Sequence, residues 1–215
     1  VYVVGGYSGY SGLATVERYT HSSRCWETVA PLSEPRGHGV VTAVVSNKLY
    51  AIGGNFNDGK YFATNEVYDR QRNKWVRRAP IELNGKPFPM QSGAVAVYQQ
   101  KILIFGAETR SGFENHTLIY DTETDSWATG KSVPSLRYFA GAAALGTPKT
   151  YIYLLGGSRG RDRTVDVYEL PDFHGDWPRH GRWWYLPGDY PGANSHYPIV
   201  VQGGGCVYSL GGTYD

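Results

Sequence analysis

The histidines are the residues of this chain that most readily bind metals or carry protons. They are scattered through the sequence, at His21, His38, His116, His174, His180 and His196. The densest group of metal-ligand types is His174 and His180 together with Asp172 and Asp176, which could hold a divalent ion. Because their spacing is irregular, an exposed polar loop is the favoured interpretation. The sequence therefore predicts no metal and no other cofactor.

The two cysteines, Cys25 and Cys206, are the candidate nucleophiles. Cys25 directly precedes Trp26 of a predicted outer strand and Cys206 begins a predicted buried strand, so both are interpreted as small apolar fillers and not as a redox pair. Two cysteines make no disulfide framework, which favours a reducing compartment and predicts a cytoplasmic protein.

Two short motifs could carry other functions. The basic run "RGRDR" at Arg159–Arg163 could bind phosphate or an acidic peptide, although a solvated turn is the favoured interpretation. The triplet "NHT" at Asn115–Thr117 matches the glycosylation sequon, which matters only in a secreted protein.

Charge and composition exclude several classes of protein. The net charge is +2, from 21 basic and 19 acidic side chains, too balanced for a nucleic-acid-binding or membrane-surface protein. No apolar run approaches the roughly 20 residues that a bilayer requires. The 28 glycines and 18 tyrosines favour many short strands joined by tight turns.

A repeat of about fifty residues organises these strands. Five apolar runs end on glycine: "VYVVGGY", "LYAIGGN", "ILIFGAE", "YLLGGS" and "VYSLGGT". Their glycines are 48, 53, 50 and 55 residues apart. A tyrosine seven residues before a tryptophan recurs at Tyr19, Tyr68 and Tyr120, whereas the fourth unit shifts its tryptophans to Trp183 and Trp184. Such a period predicts a repeat architecture.

Each repeat is predicted to form four antiparallel strands. In the second, "GVVTAVV" and "LYAIGG" are expected to be buried, "NEVYDR" half-exposed and "KWVRRAP" outermost. The glycines would let backbones pass closely, and Tyr and Trp would fill the wedge between neighbouring sheets. Ala107 implies that its corner has a negative φ or tolerates a methyl group.

The apolar run, Gly-Gly, Tyr and Trp at this spacing resemble the kelch repeat over essentially the whole chain. The resemblance implies an all-β propeller of four-stranded blades. About four to five blades are present, in repeats that span residues 1–36, 37–90, 91–137, 138–195 and 196–215. The first repeat lacks its first strand, and the last repeat lacks its outer two strands. We therefore expect an incomplete ring and a piece of a longer protein, since kelch propellers usually have six blades.

The resemblance also implies a partner-binding face, formed by the loops after each second strand and the loops leading into each first strand. Arginine there would pair with carboxylates of an acidic peptide, and tyrosine would offer a stiff amphipathic surface. The predicted partner-binding residues are Tyr7, Arg36, His38, Asn55, Gln91, Ser92, Glu108, Arg137, Tyr138, Ser158, Ser195 and His196.

The favoured function is a protein-interaction scaffold that performs no catalysis. Among proteins that this chain resembles, some are substrate adaptors of ubiquitin ligases and others bind actin. The alternative from another class is a propeller enzyme, a galactose-oxidase-like oxidase or a sugar isomerase. The oxidase would need a copper site built from Tyr, His and Cys, and no such cluster is evident in the sequence.

Overall fold

The computed structural model describes residues 1–56, 59–137, 139–146, 149–157, 165–170, 181–186 and 199–210. These residues form antiparallel β-sheets joined by turns, and no α-helix occurs among them. The chain divides into two compact units, Val1–Gln91 and Ser92–Asp215.

The first unit contains two sheets and two small hairpins. A three-stranded sheet has the order β1-β2-β3, and its strands are Tyr2–Val4, Val16–Thr20 and Cys25–Val29. A four-stranded sheet has the order β4-β5-β8-β9, and its strands are Val41–Val45, Lys48–Ile52, Asn65–Asp69 and Lys74–Arg78. The hairpins are β6-β7 and β10-β11, formed by Asn55–Phe56 with Lys60–Tyr61 and Glu82–Leu83 with Lys86–Pro87.

The second unit contains three sheets. The sheet β12-β13-β14-β15 is formed by Ala94–Tyr98, Lys101–Thr109, Gly112–Asp121 and Ser126–Gly130. The sheet β16-β17-β18-β19 is formed by Gly141–Leu145, Tyr151–Leu155, Val165–Glu169 and Arg182–Leu186. The pair β20-β21 is formed by Ile199–Gly203 and Cys206–Leu210. Sheets of four consecutive antiparallel strands confirm the predicted blades.

Burial within a sheet follows the position of the strand. The middle strands of the second sheet, β5 and β8, are almost entirely buried, whereas β4 alternates between buried and exposed residues. The prediction that "GVVTAVV" is buried on both faces is wrong, because Val44 is 57% exposed. The prediction that "NEVYDR" is half-exposed is also wrong, because β8 is buried from Asn65 to Tyr68. The prediction that Cys206 begins a buried strand is wrong as well, because Cys206 is exposed on β21, which pairs with β20 alone among the described strands. A strand flanked by two others loses more contact with solvent than one at the edge.

Tyrosine and tryptophan of each repeat are direct cross-strand partners. Their rings lie 5.4, 5.3, 5.0 and 4.7 Å apart in the pairs Tyr19–Trp26, Tyr68–Trp75, Tyr120–Trp127 and Tyr168–Trp183. Of the two tryptophans in the fourth repeat, Trp183 therefore occupies the repeated position.

The predicted wedge between sheets is confirmed within each unit. The Trp75 indole nitrogen donates to the Ala30 carbonyl just after β3, at 2.9 Å, and the Trp183 indole donates to the Lys131 carbonyl just after β15, at 3.0 Å. Each indole thus contacts the sheet that precedes its own. The same prediction is wrong for Trp26, which is 52% exposed. Trp26 belongs to the first sheet, and no described sheet precedes it.

The first glycine of each pair is required by conformation and by space. Gly5, Gly53 and Gly106 have φ of 65°, 62° and 65°. A Cβ on these glycines would lie 2.6, 2.5 and 2.2 Å from the carbonyl oxygens of Arg36, Met90 and Arg137, respectively. Ala107 is absent from the residues with positive φ, and β13 continues through it to Thr109. This agrees with the expectation for that corner.

We expect the buried Tyr168 to make the second unit sensitive to alkali. Burial raises the pKa of Tyr168 to about 12, against an opposing hydrogen bond with the Lys131 backbone. An unfolded tyrosine has a pKa of about 10, so the unfolded chain loses this proton first and stability falls as pH rises from about 10 to about 12. Urea unfolding at pH 9 and pH 11.5 would measure the loss. Tyr168→Phe should reduce it, and an equal loss in that variant would contradict the assignment.

Candidate partner-binding loops

Three of the predicted binding residues come together in the first unit. The Tyr7 ring lies 4.9 Å from the His38 ring, with 35° between their planes. His38 forms an isolated backbone bridge with Asn55, whose N–H donates to the His38 carbonyl at 3.0 Å. Tyr7 is 45% exposed and His38 is also exposed. Tyr7, His38 and Asn55 are called the loop cluster below.

The backbone holds the loop cluster in place through close contacts between three loops. The Gly37 N–H donates to the Asn55 carbonyl at 2.7 Å, and the Gly6 N–H donates to the Arg36 carbonyl at 2.9 Å. A Cβ on Gly12 would lie 2.9 Å from the Gly37 nitrogen, so this approach requires glycine. The main-chain positions of Tyr7 and His38 are therefore fixed by these contacts, and their exposed rings lie against each other.

One polar atom of the loop cluster is buried without a partner. The Asn55 side-chain oxygen makes no hydrogen bond to the described residues. A buried acceptor of this kind costs free energy until a donor reaches it. Less than 1 Å² of this oxygen is accessible, so it is not a contact for a docked partner while the loops keep these positions.

Arg36 does not belong to the surface on which the sequence placed it. Its side chain is 0% exposed and donates to Glu66 at 2.6 Å. It also donates to the carbonyls of Ala51, Gly53 and Thr64, at 3.1, 3.0 and 3.3 Å. Burial lowers the pKa of the Arg36 guanidinium, and the Glu66 carboxylate opposes that shift. The guanidinium cannot reach a partner, because its donors are directed into its own sheet.

Arg137 is buried in the same way in the second unit. It is 1% exposed, and its Nε donates to Asp166 at 2.8 Å and to the Ser135 hydroxyl at 3.1 Å. Its Nη1 donates to the Gly156 carbonyl at 2.7 Å. The predicted role of Arg36 and Arg137 in gripping a carboxylate of a partner is corrected accordingly. They pair with carboxylates of their own chain.

One repeat further along the chain, the positions of Arg36 and Glu66 carry two apolar residues. Met90 takes the position of Arg36, because the Gly54 N–H donates to the Met90 carbonyl as the Gly6 N–H donates to the Arg36 carbonyl. Leu118 takes the position of Glu66, because Leu118 pairs with Ile104 as Glu66 pairs with Ala51. Met90 and Leu118 are each buried. A basic and an acidic residue are thus exchanged together for two apolar ones.

The other predicted binding residues are spread over both units or lie outside the described residues. Gln91 is buried, whereas Ser92 and Glu108 are half-buried. Tyr138, Ser158, Ser195 and His196 lie outside the described residues, as do the basic run of residues 159–163 and the histidines at 174 and 180. In the sequon, the Asn115 side-chain nitrogen donates to the Val133 carbonyl at 3.1 Å.

The sequence interpretation missed the hairpin β6-β7 beside the loop cluster. Phe56 is half-buried, and one of its ring carbons would lie 3.0 Å from a Cβ on Gly12. Lys60 pairs with Phe56 across the hairpin and is exposed. The signal was present in the letters "NDG" between two aromatic residues, because such a triplet is typical of a tight hairpin turn.

Two classes of site are not found in the described part of the chain. No group of three or more His, Cys, Asp or Glu side chains converges among these residues as a metal site would require. Nor do they contain a helix long and apolar enough to cross a membrane.

Comparison with known proteins agrees with this architecture. Residues 1–212 match a family model described as the KLHDC2/KLHL20/DRC7 Kelch-repeats domain. Kelch-like protein 25 of Xenopus tropicalis is 29% identical over 183 residues, which cover 79% of this chain and 29% of that protein. Kelch-like protein 35 of Mus musculus is 29% identical over 135 residues, which cover 63% of this chain and 22% of that protein. Alpha-scruin of Limulus polyphemus is 26% identical over 172 residues, which cover 74% of this chain and 18% of that protein. The chain spans less than a third of the length of these relatives.

Proposed function

Because the chain belongs to the kelch-repeat family, we propose that it is a protein-interaction scaffold that holds a partner segment on the loop cluster. One observation carries this proposal: the exposed rings of Tyr7 and His38 lie in contact at a junction of loops that main-chain hydrogen bonds hold in place. Aromatic side chains that are ordered before binding lose little conformational entropy when a partner docks, so they make strong anchors.

The chemistry of the loop cluster and the neighbouring Lys60 favours an extended peptide with an acidic residue. The acidic residue would approach His38 and Lys60, which are exposed. An acidic partner was first expected because of Arg36 and Arg137, and this proposal replaces those buried arginines with His38 and Lys60.

The cellular role that we propose for the scaffold is substrate adaptor of a ubiquitin ligase. The similarity to kelch-like proteins 25 and 35 supports it, together with the adaptor role that the kelch resemblance implies. Actin binding is the alternative within the same class. Co-sedimentation of the chain with filamentous actin separates the two, since an adaptor stays in the supernatant and an actin-binding protein pellets with the filaments.

The double variant Tyr7→Ala/His38→Ala tests the loop cluster. We expect it to weaken partner capture by at least about tenfold, because removal of a central aromatic contact commonly costs more than 1.4 kcal/mol. Its melting temperature should remain near that of the wild type, because the rings are exposed. Affinity capture with quantitative mass spectrometry identifies the partner, and titration of the purified partner gives the affinities.

Trp26→Ala is the matched control, since it removes an exposed aromatic ring that lies on the outer strand β3 instead of on these loops. It should capture the same partner as the wild type. Equal capture by all three proteins would overturn the loop cluster as the binding site.

A further inference from the structure

The outermost strand of the second sheet carries a strong positive charge. Strand β9 has the sequence "KWVRR", and the turn before it, residues 70–73, has the sequence "RQRN". Five of these nine residues are basic and none is acidic. Arg70, Arg72, Lys74 and Arg77 are exposed. Strand β9 and the turn of residues 70–73 are together called the basic edge.

The repeat does not require this charge in order to fold. The other outermost strands, β3, β15 and β19, have the sequences "CWETV", "SWATG" and "RWWYL". Each has tryptophan at its second position, as β9 does, but none contains more than one basic residue. The charge of the basic edge is therefore a property of the second sheet alone among these four, and it calls for an explanation other than folding.

Neighbouring acidic residues offset only part of the charge. Arg72 lies 3.2 Å from Asp69 and Arg77 lies 3.7 Å from Glu34, yet the two arginine side chains remain 73% and 64% exposed. No ion pair is found for Lys74 among the described residues. Exposed ion pairs contribute little to stability, so these basic side chains can exchange them for carboxylates of a partner at small cost.

The main chain of β9 is open on its outer side. In the sheet β4-β5-β8-β9, strand β9 pairs with β8 and with no other described strand. The Thr64 carbonyl accepts a hydrogen bond from the glycine that follows β5, so in an antiparallel ladder Glu66 and Tyr68 also direct their main chain toward β5. Their cross-strand partners, Arg77 and Trp75, therefore direct their N–H and C=O groups away from β8. Such an edge is a template for a further strand.

We propose that the basic edge binds an extended acidic segment of another protein, which adds as an antiparallel strand beside β9. Carboxylates of the segment would lie opposite Lys74 and Arg77. An apolar side chain between them would cover Val76, which is 37% exposed. The main-chain groups of Trp75 and Arg77 would pair with the segment, and its carboxylates would replace the weak ion pairs of the free protein.

Two features favour a protein strand over other partners. The open N–H and C=O groups of β9 match those of another strand, whereas a nucleic-acid backbone offers phosphate oxygens but no N–H donors. The net charge of the chain is only +2, which is small for a nucleic-acid-binding protein. Positive charge along an edge strand also keeps two copies of that strand apart, so the partner is not a second copy of this chain.

A synthetic peptide tests the proposal with the 215-residue chain itself. The probe is a labelled peptide of three Glu-Val-Thr repeats, which in antiparallel register places glutamate opposite Lys74 and Arg77 and valine opposite Val76. Fluorescence anisotropy at low salt should show it binding at least about fivefold more tightly than a Gln-Val-Thr peptide, since each exposed pair adds a modest amount. The difference should disappear near 1 M salt, where the Debye length is about 3 Å.

Hydrogen exchange separates strand addition from attraction between charges alone. The amides of Trp75 and Arg77 should exchange more slowly when the glutamate peptide is bound. A peptide with the same side chains and an N-methylated main chain should bind more weakly and leave both amides unprotected, because it cannot donate main-chain hydrogen bonds.

The variant Lys74→Gln/Arg77→Gln should lose the preference for the glutamate peptide. Arg24→Gln/Lys86→Gln is the matched control, since it removes the same charge from two exposed residues outside β9 and should retain the preference. Tyr7→Ala/His38→Ala should retain it as well, which separates this surface from the loop cluster. Thermal melting close to that of the wild type establishes that the variants fold.

Three results would each overturn the proposal: equal binding of the glutamate and glutamine peptides by the wild type, a retained preference in Lys74→Gln/Arg77→Gln, or unprotected amides at Trp75 and Arg77. Tighter binding of a single-stranded DNA oligonucleotide than of the glutamate peptide, abolished by the same variant, would also overturn it and would assign the basic edge to nucleic acid.

Discussion

Replacing Arg36 with alanine is expected to destabilise the chain by about 3–5 kcal/mol, the usual cost of removing one partner from a buried ion pair. The substitution leaves the Glu66 carboxylate 1% exposed and without its cation. It also removes the donor for three backbone carbonyls. Urea unfolding followed by tryptophan fluorescence gives the change in the free energy of unfolding. The partner-binding role first predicted for Arg36 would have left stability unchanged.

The double variant Arg36→Met/Glu66→Leu is the control for this prediction. It copies Met90 and Leu118, the residues found at these positions one repeat further along the chain. Apolar replacement of a whole buried ion pair is commonly neutral or stabilising, so the double variant should recover most of the loss. A double variant as unstable as Arg36→Ala would show that the carbonyl contacts of Arg36, and not its pairing with Glu66, hold the sheet together.

Replacing Trp75 with alanine is expected to cost about 3 kcal/mol, the lower end for large buried aromatics because the indole is only partly buried. The indole lies 5.3 Å from the Tyr68 ring and donates to the Ala30 carbonyl of the preceding sheet at 2.9 Å. Its removal opens a gap between the two sheets of the first unit and leaves that carbonyl without its donor. Urea unfolding measures the effect.

Trp26→Ala provides the matched control for Trp75→Ala. Both tryptophans pair across strands with a tyrosine, at nearly the same ring distance. Trp26 is 52% exposed, so its removal should change the free energy of unfolding by less than about 1 kcal/mol. Similar losses in the two variants would contradict the assignment of Trp75 to the wedge between sheets.

The fold was predictable from the sequence because each of its requirements leaves a visible residue. A positive φ at a crowded backbone contact demands glycine, as Gly53 shows, and the demand recurs with each repeat. Cross-strand pairing fixes the separation between Tyr68 and Trp75. Exposure was less predictable. Trp26 and Trp75 are the same residue type in the same repeat position, but among the described residues only Trp75 contacts a neighbouring sheet.

The site was predictable only in part, because the residue type of an arginine does not reveal its depth. The loops that carry Tyr7, His38 and Asn55 were located from the propeller topology that the kelch resemblance implies, and the structure brings those residues together. Arg36 lies in one of the same loops, but its carboxylate partner is 30 residues away in the chain. Its burial could have been found by comparing repeats, since Arg36 and Glu66 are replaced together by Met90 and Leu118.

The central claim is that the partner is bound by the loop cluster, whereas the neighbouring arginine serves the interior of the sheet. The most direct measurement is the affinity of two double variants for the partner that the wild-type chain captures. We predict that Arg36→Met/Glu66→Leu binds this partner as tightly as the wild type, and that Tyr7→Ala/His38→Ala binds it at least about tenfold more weakly. A folded Arg36→Met/Glu66→Leu variant that fails to bind, beside a Tyr7→Ala/His38→Ala variant that binds normally, would contradict it.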